Sequence, residues 1–173
     1  MQTTCLECGT TFSPQGARGK LPDFCSNACK QKAYRARRKN TQHTFPELMR
    51  ARRTWVRADG KRPIQPAGMP ASSTDSATWS TFSAVQQGAG DGFGIMLGDG
   101  LGCYDFDGMD DVSVREFVAG IPERIVFMER SVSGRGVHVF VEAVESRGWR
   151  RGSVEFYSRE RFIRTTGIVW RCL

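Results

Sequence analysis

Four cysteines, three carboxylates and one glycine-rich loop are the residues whose types and spacing can do chemistry. Cys5 and Cys8 form a C-x2-C pair, and Cys25 and Cys29 form a C-x3-C pair, with sixteen residues between the pairs. Two short-spaced thiol pairs can close a tetrahedral Zn²⁺ site with little chain strain. Gly9 permits the tight turn such a pair needs. Cys25 and Cys29 are four apart at a helix start, so both can point one way, and the helix N-terminus favours thiolates. Four unrelated buried thiols are the other reading of these residues. Cys103 and Cys172 stand alone and read as ordinary buried cysteines.

The carboxylates lie in Cys103-Tyr104-Asp105-Phe106-Asp107. On a strand, Tyr104 and Phe106 face the core while Asp105 and Asp107 share the other face, with Cα atoms about 6.6 Å apart. Two such carboxylates repel unless a cation lies between them, and oxygen ligands suit Mg²⁺ or Mn²⁺. A polar strand end running into the Asp110–Asp111 turn explains them equally well. In Ser153-Val154-Glu155-Phe156-Tyr157 the same alternation turns Glu155 outward, where it could complete a three-carboxylate set.

Ser133-Gly134-Arg135-Gly136-Val137-His138 lies between two strand-like segments. Its glycines let the backbone approach an anion, and Arg135 and His138 add donors. A tight hairpin is the alternative. Lys61, Arg62 and Arg164 are further cations near turns and strand ends. After Cys29 come Lys30, Lys32, Arg35, Arg37, Arg38 and Lys39. They surround a helix rather than striping it, which fits sequence-independent phosphate contact.

The elements that must position these groups follow from pattern. Ser26 caps a helix running through Arg38. Ser73-Thr74-Asp75 starts a helix through Gln86 that stops at Gly88. Phe93–Leu97 and Leu101–Phe106 read as strands joined by a hairpin-like Gly98-Asp99-Gly100 turn. Val112–Val118 reads as a short helix. Arg124–Ser131, Val137–Val144, Ser153–Tyr157 and Phe162–Thr165 read as strands. The fold class is α+β, mostly antiparallel sheet with covering helices behind a small zinc-binding module. The division is a module over 1–40, a linker over 41–54 and a main domain over 55–173.

Charge agrees with this division. The chain has 173 residues and a net charge of +7. Residues 1–62 hold 14 basic and 4 acidic residues, while 63–173 hold 11 and 14. A basic front suggests a polyanion-binding arm. With no apolar run of about 18 residues and no secretory signal, an intracellular protein with reduced thiols is expected.

In their order, the acidic pair Asp105 and Asp107, the run Ser133-Gly134-Arg135-Gly136-Val137-His138, and Glu155 resemble the archaeo-eukaryotic primase superfamily, in particular the primase-polymerase domains of phages and plasmids. Lys61-Arg62-Pro63, Thr78-Trp79 and Arg161-Phe162 to Thr166-Gly167 also look like that family. The resemblance spans roughly 55–167. It implies a primase-polymerase catalytic core that makes a primer on single-stranded DNA. Asp105, Asp107 and Glu155 would hold two Mg²⁺ or Mn²⁺ ions. Ser133, Gly134, Arg135, Gly136 and His138, helped by Lys61, Arg62 and Arg164, would take the triphosphate of an NTP or dNTP. The zinc module and basic tail would hold template or primer. It further implies the cytoplasm of a bacterial host and a phage or plasmid gene. The domain is short for the family and shows no helicase, so a helicase or accessory primase domain on another chain is an expected partner. A non-catalytic, zinc-dependent DNA-binding or replication accessory protein is the competing expectation. A metal-dependent nuclease is a third, disfavoured by a loop suited to triphosphate.

Overall fold

The computed structural model describes residues 2–14, 22–40 and 45–171, with side chains of 34–40 excepted. The chain divides into two compact units, Met1–Gln42 and His43–Leu173.

The first unit opens with a two-stranded antiparallel hairpin, β1 (Thr3–Thr4) and β2 (Thr11–Phe12). Gly9, at φ 72°, turns the chain between them. Helix α1 (Asn27–Asn40) follows. Ser26 caps it as expected: its hydroxyl accepts from the Cys29 N–H at 3.2 Å.

The second unit is built on two antiparallel sheets. Its strands are β3 (Trp55–Asp59), β4 (Arg62–Ile64), β5 (Gly92–Met96), β6 (Leu101–Phe106), β7 (Ile125–Arg130), β8 (Val137–Glu142), β9 (Trp149–Arg151), β10 (Val154–Tyr157) and β11 (Phe162–Thr165). The five-stranded sheet runs β7-β8-β6-β10-β9, and the four-stranded sheet runs β11-β5-β3-β4. The α+β class with mostly antiparallel sheet is therefore observed.

One core joins the sheets. Trp55, Phe93, Ile95 and Ile163 from the smaller sheet pack with Leu101, Cys103, Phe127 and Phe140 from the larger. Cys103 is buried, as expected of a lone cysteine, whereas Cys172 lies outside the described residues. The other face of the larger sheet meets α4 (Asp111–Ala119), whose Val114 and Val118 cover Tyr104, Phe106, Val139 and Phe156. Asp110 caps α4 through the N–H groups of Val112 and Ser113, both at 3.0 Å. β6 is thus apolar on both faces over most of its length, and only its C-terminal end is left for polar groups.

Three expectations need correction. β5 and β6 do not form a hairpin. The turn between them is tight, with Leu101 N–H to Gly98 O at 3.1 Å and Asp99 at φ 52°, but the strands enter different sheets. Turn chemistry fixes the reversal, and the apolar side chains decide which partner each strand finds. The helix expected over 73–86 is a 3-10 turn (Ser76–Thr78) and a short helix α3 (Phe82–Val85). Between them, Ser80 exchanges two backbone hydrogen bonds with Trp55, at 2.8 and 3.0 Å, so strand pairing overrides helix continuation. The linker expected over 41–54 is also revised for its described part. Phe45 and Met49 are buried in the shared core, and α2 (Glu47–Arg50) carries the Met49 carbonyl that accepts the Trp55 indole N–H at 2.8 Å.

Candidate functional site

In the first unit, two local turns gather four sulfurs. The Sγ atoms of Cys5, Cys8, Cys25 and Cys29 all lie within 4.8 Å of one another. Cys8 to Cys25 and Cys25 to Cys29 are each 3.6 Å. Gly9 N–H to Cys5 O at 3.0 Å closes the first turn, and the start of α1 presents the second pair. At this spacing the thiols share protons. Hydrogen bonds that Cys25 donates to Cys29 and shares with Cys8 push its thiol up to about 12. Burial alone would raise Cys5, but backbone donors from Cys25, Cys8 and Glu7 outweigh it and hold Cys5 at about 6. Four sulfurs so placed cannot all ionise without a cation between them. Their type, number and proximity suit a metal such as zinc.

The basic tail is only partly described. Lys30 is exposed, and Lys32 pairs with Glu7 at 3.1 Å within the unit. The side chains of Arg35, Arg37, Arg38 and Lys39 lie outside the described residues.

In the second unit, strand register assembles a polar row across all five strands of the larger sheet. Arg150 is opposite Glu155, Glu155 opposite Asp105, Asp105 opposite His138, and His138 opposite Glu129. Two residues along the same face of four of these strands stand Tyr157, Cys103, Phe140 and Phe127, which belong to the shared core or pack against it. The row therefore forms the polar rim where the apolar filling between the sheets ends.

Glu129 anchors this row and was not found by sequence reading. Its side chain is fully buried. His138 Nδ1 lies 2.9 Å from its Oε1, and Oε2 accepts from Thr165 Oγ1 at 2.6 Å, Thr166 N at 3.0 Å and Gly167 N at 2.8 Å. A carboxylate with this many donors is a satisfied buried charge. The only sequence signal was an acid two places after Phe127, at the end of an apolar run.

His138 bridges the row, with Nε2 3.6 Å from Asp105 Oδ1. Burial would lower the imidazole, yet the hydrogen bond and charge of Glu129, with Asp105 and Asp107, raise it above its ordinary value. Asp105 is raised chiefly by burial. His138 and Arg161 offset part of that, while Asp107 and Glu155 add to it.

Asp107 is exposed one step further out, and the glycine-rich loop adjoins it. A Cβ on Gly136 would lie 3.4 Å from Asp107 Oδ1 and 2.7 Å from Phe106 O, so only glycine fits there. The loop is a β7–β8 turn with Gly134 at φ 74°. Three of its N–H groups are already satisfied: Gly134 donates to Ser131 O at 2.9 Å, Gly136 to Ser131 Oγ at 3.1 Å and Arg135 to Ser133 Oγ at 3.2 Å. Arg135 itself is exposed.

Glu155 shares the face of Asp105, but its oxygens are engaged. Oε1 meets Arg150 at 3.1 Å, while Oε2 accepts from Tyr157 OH at 2.7 Å and lies 3.8 Å from Arg161. The cysteine cluster is the one group of metal-ligating atoms drawn together among the described residues. Asp105, Asp107 and Glu155 form no such cluster, and Glu155 is held by its arginines.

Three expected phosphate ligands are placed elsewhere. On β11, Ile163 and Thr165 face the shared core, which turns Arg164 to the opposite side of the smaller sheet. There it holds Asp91 at 3.0 Å and the Gly60 carbonyl. Lys61 is exposed at the β3–β4 turn, and the exposed Arg62 pairs with Asp59 at 2.6 Å.

No family model matches the chain, and no curated protein matches it. Among the described residues no helix is long and apolar enough to cross a membrane.

Proposed function

We propose that the chain is a primase-polymerase-like nucleotidyltransferase that extends a nucleic-acid strand on a single-stranded DNA template. The observation that carries this reading is the row Glu129–His138–Asp105–Glu155, with Asp107 and the Ser133–Gly136 turn beside its open end. It sets carboxylates next to cation donors along one polar rim that is buried at Glu129 and His138 and opens to solvent at Asp107. Phosphoryl transfer needs little else from a protein than positioning and neutralisation of charge.

In this reading Asp105 and Asp107 hold Mg²⁺ or Mn²⁺. A divalent ion there supplies charge neutralisation on the triphosphate and a lower pKa for the attacking hydroxyl. Glu129 fixes the imidazole of His138 so that Nε2 faces the reacting phosphates. Arg135, exposed on the turn, reaches for the outer phosphates. A 3′-hydroxyl oxygen bonds the α-phosphorus, the bond to the bridging oxygen breaks, pyrophosphate leaves, and the hydroxyl proton passes to solvent. The four cysteines hold structural Zn²⁺, and the α1 cations touch DNA phosphates.

The test is incorporation of labelled NTPs or dNTPs on single-stranded DNA with Mg²⁺ or Mn²⁺, beside an Asp105→Asn/Asp107→Asn control. Product that requires both acids supports the reading, and product without added primer makes the protein a primase. A second reading, a non-catalytic nucleic-acid-binding accessory protein, is favoured by the occupation of Glu155 by Arg150, Arg161 and Tyr157. Absence of product with DNA binding retained would select it. Strand shortening without added nucleotides would point to a nuclease instead.

A further inference from the structure

We propose that the β9–β10 edge of the five-stranded sheet is a landing surface for the phosphate backbone of single-stranded nucleic acid, separate from the cysteine module and its basic helix. The inference rests on the nucleotidyltransferase reading only for what the strand is led towards.

Charge is concentrated there. Residues 63–173 hold 11 arginines and no lysine, against 14 acids. Five of those arginines, at 147, 150, 151, 159 and 161, fall within fifteen residues that contain two acids, Glu155 and Glu160. Outside that stretch the same region holds six arginines against twelve acids. All five arginines are exposed. A cationic strip on an otherwise acidic surface draws a polyanion to one place.

Geometry points the same way. β9 is the outermost strand, three residues long. Its alternation sends Arg150 to the face of Glu155 and Asp105, and Arg151 to the opposite face with Trp149. Cations therefore wrap the edge instead of lying on one side. Arg151 lies 5.0 Å from the centre of the Trp149 ring, and Arg161 lies 4.3 Å from that of Tyr157. Rings that hold a guanidinium in place lower the entropy lost when it meets a phosphate or stacks on a base. The edge leads straight to the acidic row, because Arg150 and Arg161 both sit on Glu155.

A strip about 10 Å long fits one strand of nucleic acid better than a duplex. A lipid surface fits poorly. The exposed large apolar residues among those described are Leu6, Met69, Val112, Phe117, Ile125, Val132, Val144 and Val169, and none lies between 147 and 161.

The experiment is fluorescence anisotropy of a labelled oligo-dT strand with the full-length, zinc-loaded chain, titrated between about 50 and 200 mM salt. Arg147→Gln/Arg151→Gln/Arg159→Gln, which leaves the two arginines on Glu155 in place, is expected to weaken binding about tenfold. It should make the log-affinity against log-salt slope shallower by about two, since each phosphate contact on a single strand contributes about 0.7. The matching Lys triple variant is expected to keep the slope. An unchanged affinity and slope in the Gln variant overturns the proposal. So does equal loss in the Lys variant, which would mark a fold effect, and so does arginine-dependent capture of anionic vesicles without DNA. Arginine-dependent DNA binding in a chain that incorporates no nucleotide would leave the edge standing and sink the transferase reading. Incorporation by a chain whose DNA affinity ignores these arginines would do the reverse.

Discussion

The two candidate sites are assembled in opposite ways. The four sulfurs come together through local structure: a glycine turn in a short hairpin and the first turn of a capped helix place all of them within 4.8 Å of one another. The acidic row is built by register across strands far apart in sequence, and its members face partners of opposite charge as much as each other. Glu129 is closed off by donors from the 165–167 segment, and Glu155 is held by two arginines. A thiol cluster without a cation is electrostatically unfinished. The row is already largely balanced, so any cation must compete for its carboxylates.

The largest expected effect tests the first half of that contrast. Removing metal should unfold residues 2–40 and leave the two-sheet unit intact, because structural zinc contributes on the order of 10 kcal/mol in modules of this size. Hydrogen exchange with and without chelator reads this directly. Loss of protection across β3, β6 or β8 would show that the units do not fold independently.

Next comes the row itself. Asp105→Asn/Asp107→Asn is expected to lower incorporation by about a thousandfold, roughly 4 kcal/mol, with the fold retained. Glu129→Ala should destabilise the second unit by about 3 kcal/mol, since it strands the donors of Thr165, Thr166 and Gly167 and leaves His138 unpaired in the interior. Urea unfolding measures this, and a loss below about 0.5 kcal/mol would show that Glu129 anchors nothing.

A smaller effect follows from pH. His138 is raised in the folded chain, so its contribution is complete below its ordinary value of 6.5 and is lost as pH rises through the raised one. Asp105, raised from 3.8 mainly by burial, acts in the same direction at lower pH. Thermal stability of the second unit should therefore fall as pH rises above 6.5, by about 1.4 kcal/mol for each unit by which the imidazole is raised. His138→Gln should flatten that slope, and an unflattened slope would place the titrating group elsewhere. Least of all, Arg62→Ala should change stability by under about 0.5 kcal/mol, because its ion pair with Asp59 is exposed.

What could be read from sequence follows the same local-versus-distant division. The cysteine pairs, the Ser26 cap and the alternation along β6 and β10 are statements about neighbours in the chain, and local sterics enforce them. The fate of β5 and β6 depends on Trp55 and Phe140, which lie about 40 residues to either side of Gly98–Gly100. The 73–86 helix failed because Ser80 found a partner 25 residues back. Arg164 looked like a ligand by type, but strand parity turned it to the outer face. Glu129 was invisible because its donors lie 9 and 36–38 residues further along the chain.

Sheet edges carry a separate consequence, for life at high concentration. An unpaired strand is a template for another copy's backbone. β7 is covered by the segment 168–170 through Arg130 N–H to Ile168 O and Trp170 N–H to Met128 O, both at 2.9 Å. β4 carries Pro63, which offers no N–H. β9 is three residues long and bears two adjacent arginines. Copies of this chain meeting β9 to β9 would bring like charges together, so the arginine strip disfavours strand addition at that edge.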